Sequence, residues 1–140
     1  QQDGKEVVSI ETLETQTNAL TGLSDELADY MLAEAVDDAA DPESLAQAFA
    51  DQYNAWASGD VDALAEESEE DELPDELLDD YADYMDIMLY DRNEGMAQKA
   101  SEYLKNGDNY FFMVGSMHFA GDRGVDDLLE DMGYTVEKIK

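Results

Sequence analysis

The sequence predicts an α/β domain: a small mixed or parallel sheet with strands near 5–11, 109–115 and 134–139, and a helical insertion between the first two. Three observations carry this. Tyr110-Phe111-Phe112-Met113-Val114 is a continuous apolar run, as in a strand covered on both faces. Val125, Leu128, Leu129 and Met132 follow at i, i+3, i+4, i+7, the spacing of an amphipathic helix stopped by Gly133. Tyr134 to Ile139 then alternates apolar and polar, so the chain closes on a β-α-β unit, which suggests a parallel pair.

The remaining elements follow from local signals. Lys5 to Glu11 is a short β-rich run. A polar stretch with Gly22 leads to Ser24, which stands as N-cap before acidic Asp25 and Glu26 and a helix over roughly 25–39. Asp41-Pro42 restarts the chain as N-cap and first helical residue. Leu45, Phe49, Tyr53 and Trp56 recur along that helix up to the stop at Ser58-Gly59. Asp60 caps a short helix that runs into Glu66-Glu67-Ser68-Glu69-Glu70-Asp71-Glu72, a solvated acidic loop. Pro74 starts a helix with a broad apolar face, Leu77, Leu78, Tyr81, Met85, Met88 and Leu89. A helical segment through Met96, Ala100, Tyr103 and Leu104 ends at Asn106-Gly107. The helix-face aromatics Tyr30, Phe49, Tyr53, Trp56, Tyr81 and Tyr84 read as core or interface.

The length, 140 residues, fits a single domain, and 44% apolar residues supply a core. Against 37 acidic residues stand 7 basic ones, a net charge of -30. That excludes nucleic acid as a partner, because cations must replace phosphate counterions. It equally disfavours anionic lipid, for no Lys/Arg cluster occurs. No apolar run is long enough to form a transmembrane segment. Cysteine is absent, which removes disulfides, thiolate catalysis and sulfur-ligated zinc. The opening Gln1-Gln2-Asp3-Gly4, without Met or a leader-like segment, reads as a processed or excised piece. The calcium-loop template finds no match at Asp91-x-Asn93 or Asp122-x-Gly124.

The chemistry-bearing residues are the scarce ones. His118, the single histidine, follows the most apolar run and precedes a helix, where α/β folds place ligand sites. Its imidazole can bind a metal or shuttle a proton; the plain alternative is a structural histidine in a turn. Gly115, Gly121 and Gly124 around it permit tight turns and close approach of a ligand. Glu11, at the end of the first run and followed by Glu14 and Gln16, suits a metal ligand or general base, with chance proximity as the alternative in so acidic a chain. Arg92, one of two arginines, can hold a substrate carboxylate, orient Glu11, or merely pair with local acids.

Taken together, five segments resemble the TraB/GumN family, which includes the TIKI proteases. Ile10-Glu11-Thr12-x-Glu14-x-Gln16 resembles its Leu-Glu-(Ser/Thr)-x-x-x-Gln segment, and Ala55-Trp56-x-x-Gly59-Asp60 its Trp-x-x-Gly-Asp segment. Asp91-Arg92-Asn93 resembles its (Glu/Asp)-Arg-Asn motif. Phe112 to Gly121 resembles its Val-Gly-x-x-His-Leu-x-Gly motif, with Phe119 at the Leu position. Leu128-Leu129-x-x-x-Gly133-Tyr134-x-Val136 resembles its closing Leu-Leu-x-x-x-Gly-Tyr-x-Val. The ordered match covers nearly the whole chain.

The resemblance implies a metal-dependent hydrolase, peptidase-like in the TIKI branch. It makes His118 the histidine of a second Gly-x-x-His motif and Glu11 its acidic partner. These two become the ligands of a divalent metal, with Glu11, Arg92 and His118 as the catalytic set. Arg92 and Asn93 would orient the site or the substrate, and Asn93, Gly115 and Gly121 become substrate-binding residues. With one histidine, residues 1–140 lack the family's first Gly-x-x-His motif, which lies upstream of the Glu11 segment. The expected reading is the C-terminal part of a longer protein, inactive or incomplete alone, that docks on its N-terminal half or self-associates into a homodimer. Peptides or proteins are the implied substrates, and an extracytoplasmic address, secreted or cell-surface anchored, the implied location. A non-catalytic acidic surface or binding domain that keeps the fold is the alternative; it expects Glu11 and His118 to lie apart.

Overall fold

A computed structural model describes residues 4–66 and 73–139. Seven α-helices run in order: α1 (Leu13–Leu20), α2 (Asp25–Asp38), α3 (Pro42–Ser58), α4 (Val61–Glu66), α5 (Leu78–Met85), α6 (Asp91–Asn106) and α7 (Val125–Asp131). A 3₁₀ turn (Asp75–Leu77) leads into α5, a π turn (Asp86–Tyr90) joins α5 to α6, and a second 3₁₀ turn (Ser116–Phe119) carries His118. Residues 75–106 therefore form one unbroken helical rod with a π turn at its centre.

Local chemistry accounts for most of these elements. Ser24 Oγ accepts from Leu27 N at 3.1 Å and donates to Asp80 Oδ2, so one hydroxyl caps α2 and ties its start to α5. Asp41 caps α3 through Ser44 N and Asp60 caps α4 through Ala63 N. Gly107 ends α6 in the left-handed region, at φ 76°, where a side chain would be strained. Helix α1 was not expected: Thr12 Oγ1 accepts from Thr15 N at 3.1 Å, a cap signal in a stretch too polar to show an apolar stripe.

The sheet is overturned. Among the described residues there is no strand, and 5–11, 109–115 and 134–139 are not β; the fold is all-helical rather than α/β. A strand exists through the ladder to its neighbour, and none of the backbone hydrogen bonds outside the helices joins these three segments. Their side chains nevertheless sort by alternation. Phe112 and Val114 pack, with Ile10, on the cluster of Met96, Ala97 and Val125, while Phe111 and Met113 face outward. Apolar alternation reports which face is covered, not whether hydrogen bonds have formed.

The core lies between α6 and α7, where Met96, Ala97, Ala100 and Val125 are buried. Helix α3 buries none of its residues, and Phe49, Tyr53 and Trp56, expected in a core or interface, are exposed and form no part of this chain's core. The acidic stretch 67–72 lies outside the described residues.

Replacing Ser24 with Ala removes both the cap and the α2–α5 tie. A loss of about 1–2 kcal/mol is expected, read as a lower urea midpoint at unchanged m; an unaltered midpoint would show that the tie carries no stability.

Candidate active site

A cavity of about 510 Å³ opens between the segment before α1, the face of α6 and the turn carrying His118. Glu11, Arg92, Gly115 and His118 line it, with Ser9 and Gln16 beside them. The segments that supply these residues are 81 and 25 positions apart at their hydrogen bonds.

Each functional side chain has a local reason for its place. Thr12 starts α1, and Ser9 Oγ donates to the Glu11 carbonyl at 2.6 Å, so Glu11 sits on a pinned backbone at the helix entrance. Arg92 stands just beyond the π turn, where Asp91 N reaches back five residues to Asp86 O. That extra residue rotates everything beyond it by about 100° relative to an uninterrupted α-helix. The guanidinium then grips three acceptors: Nε–H to Glu11 Oε1 at 2.7 Å, Nη2–H to Glu11 Oε2 at 2.9 Å and Nη1–H to the Met88 carbonyl at 2.8 Å. A two-pronged pair of this kind is directional as well as strong.

The next residue faces the other way. Asn93 is 0% exposed; its Nδ2 donates to the Arg123 carbonyl at 2.8 Å, and its Oδ1 lies 2.6 Å from His118 Nδ1. His118 is itself buried, at 8% exposure. Arg92 and Asn93 are thus one dipeptide that holds the site's acid with one side chain and its imidazole with the other.

The electrostatics follow. Hydrogen bonds from Arg92 hold the Glu11 carboxyl below its ordinary value; burial opposes this, and the charges of Arg92 and His118 add to it. Glu11 stays ionised, but with both oxygens on a guanidinium it is a weak proton acceptor. Burial pushes His118 down and the Arg92 charge adds to this, while Glu11 pulls it up. A neutral imidazole at neutral pH is the result, which can accept a proton.

Of the residues expected from sequence, the structure brings Glu11, Arg92, Gly115 and His118 to one cavity. Asn93 lies behind the cavity, sealed from solvent. Gly121 is not among the lining residues; at φ 69° it turns the chain after His118, and its carbonyl accepts from Gly124 N at 3.0 Å. Ser9 and the Met88 carbonyl were missed. Gln16 stood in the Glu11 segment without a role, and its place in the Glu11-Thr12-x-x-x-Gln16 pattern was the available signal.

As a metal centre the set is incomplete. No group of three or more His, Cys, Asp or Glu among the described residues can hold an ion. One imidazole and one carboxylate already committed to Arg92 fall short of the three protein ligands usual at a catalytic zinc.

Comparison with known proteins adds the lineage. The model of the TraB/PrgY/gumN family matches residues 1–138. The chain belongs to this family. The chain is 42% identical over 52 residues to "Metalloprotease TIKI2" of Danio rerio, a match covering 36% of the chain and 10% of that protein. It is 32% identical over 65 residues to "Metalloprotease TIKI homolog" of Nematostella vectensis, covering 45% and 13%. The matched stretch therefore spans about a tenth of the length of these relatives. No solved structure matches.

The single histidine makes the electrostatics measurable by NMR titration. The His118 midpoint is expected below the ordinary 6.5. Arg92→Gln should raise it, by removing the nearby cation, and Glu11→Gln should lower it. Because the native pKa is depressed, the stability His118 contributes is complete above pH 6.5 and lost as pH falls through the native midpoint. A wild-type midpoint above 6.5 would overturn this account.

Proposed function

We propose that the whole protein carrying this chain is a hydrolase of peptide bonds, and that Glu11, Arg92 and His118 build one wall of its active centre, with Asn93 behind it. The observation that carries the reading is the convergence of three separate motif segments on one cavity. Family membership and two relatives named as metalloproteases support it. The alternative of a non-catalytic acidic domain expects Glu11 and His118 apart, whereas they share the cavity.

The chemistry assigns His118 the proton. Its neutral ring takes a proton from water as the oxygen attacks a peptide carbonyl, and returns it to the amine as the C–N bond breaks. Arg92 has five N–H donors and spends three on Glu11 and Met88. The remaining two can meet the negative charge that develops on the carbonyl oxygen. Glu11 is the anchor that keeps the guanidinium in place. Glu11 and His118 are the two metal-type donors facing the cavity; a divalent centre there would take its remaining donors from elsewhere in the whole protein. The family implies peptide or protein substrates, and the charge of -30 agrees with an extracytoplasmic address.

His118→Ala in the whole protein is expected to lower kcat/KM for a peptide substrate by about 100-fold or more, with bound metal measured in parallel. Unchanged peptidase activity would sink the assignment. In the 140-residue chain by itself, metal affinity should not depend on His118; a micromolar site abolished by His118→Ala would show that the two donors suffice.

A further inference from the structure

We propose that Asn93 is a positioning residue that sets the tautomer of His118, placing the ring proton on Nδ1 and leaving Nε2 as the basic nitrogen. The inference follows from a chain of groups whose roles leave no choice. The Arg123 carbonyl can only accept, so the Asn93 group that meets it at 2.8 Å is the amide NH₂. The amide oxygen therefore faces His118 Nδ1 at 2.6 Å. That oxygen also can only accept, so Nδ1 must carry the proton and the lone pair belongs to Nε2. Nε2 makes no hydrogen bond among the described residues.

The start of this chain is itself held firmly. The Arg123 guanidinium lies 4.1 Å from the Tyr90 ring and bonds Asp86 Oδ1 at 2.8 Å, which pins residue 123 against the π turn. The following residue, Gly124, admits no side chain without disturbance: a Cβ there would stand 2.7 Å from Asp126 Oδ1 and 3.1 Å from the Phe119 carbonyl carbon. Asn93 is sealed from water, so no solvent molecule competes for its amide. Free histidine in water favours the opposite tautomer, with the proton on Nε2. Asn93 thus has work to do that the ring would not do unaided. Of the two roles expected for Asn93, orienting the site or the substrate, this is the first, exerted through His118. The hydrogen-bond chain stands on geometry alone; its catalytic consequence rests on the hydrolase reading.

The test is ¹⁵N NMR of the labelled chain above the His118 midpoint, where the single imidazole is neutral and its two nitrogens are distinguishable. Wild type is expected to show a protonated Nδ1 and an unprotonated Nε2. Asn93→Ala should shift the ring toward the Nε2-protonated form. Asn93→Asp, which keeps an acceptor, should retain Nδ1–H. An Nε2-protonated wild-type ring overturns the proposal, and so does a pattern unchanged in Asn93→Ala. If Asn93→Ala does not fold, Asn93→Asp carries the test, and an Nε2-protonated ring there overturns it. In the whole protein, Asn93→Ala is expected to lower kcat by about 10–100-fold with KM little changed. Activity that survives His118→Ala removes the hydrolase reading and leaves the tautomer assignment standing.

Discussion

The Glu11–Arg92 ion pair is the constraint on which the site depends. It joins the segment before α1 to the central helical rod across 81 positions of sequence. Without it the cavity would lose the wall that Glu11 and its neighbours supply, and His118 would lose both charges that bias it. The pair is only partly exposed, at 13% for the Arg92 side chain and 21% for Glu11. At that depth, removing either partner leaves a poorly solvated charge behind, which is the damaging event at such pairs. Selectivity among 37 acids comes from geometry, not from charge. The planar fork of Arg92 is satisfied by two carboxylate oxygens and one carbonyl at once, and the π turn presents it at the angle where all three are in reach.

The π turn explains why two adjacent residues do different jobs. Neighbours on a helix point about 100° apart, so Arg92 reaches the cavity while Asn93 turns inward to the carbonyl of Arg123. The Arg123 side chain returns to the same turn through Tyr90 and Asp86, so the loop before α7, the π turn and the site are mechanically one unit. Pro and Gly had no part in marking this turn, and nothing in the spacing of apolar residues from Leu77 to Leu104 announces an extra residue.

Among the described residues few large apolar side chains are buried. The apolar stripe of α3 is the clearest instance: its cap, its proline and its terminal glycine are all as expected, yet Phe49, Tyr53 and Trp56 remain 57–64% exposed. Local signals specify that a helix forms; they do not specify what it packs against. The charge of -30 belongs to the same surface, carried on helix faces and first turns. It excludes partners and does not identify a site.

The sequence by itself determined the starts of α2, α3 and α4 and the end of α6, though not α1, because a cap is a contact between residues two or three apart. Ser24, Asp41, Asp60 and Gly107 each act within their own turn. It also singled out the candidate residues His118 and Arg92, because one histidine and two arginines stand out in an acidic chain. Only the tertiary structure decided the rest. Whether Val7 or Phe112 becomes a strand depends on a neighbouring backbone, and none is paired there. Whether Glu11 meets Arg92, and Asn93 meets His118 instead of a substrate, depends on a one-residue π insertion and on a carbonyl 30 positions away. Such long-range hydrogen bonds leave no periodic trace: the pairing of Arg92 with Glu11 stood among several alternatives in the sequence, and the bond between Asn93 and His118 did not show there at all.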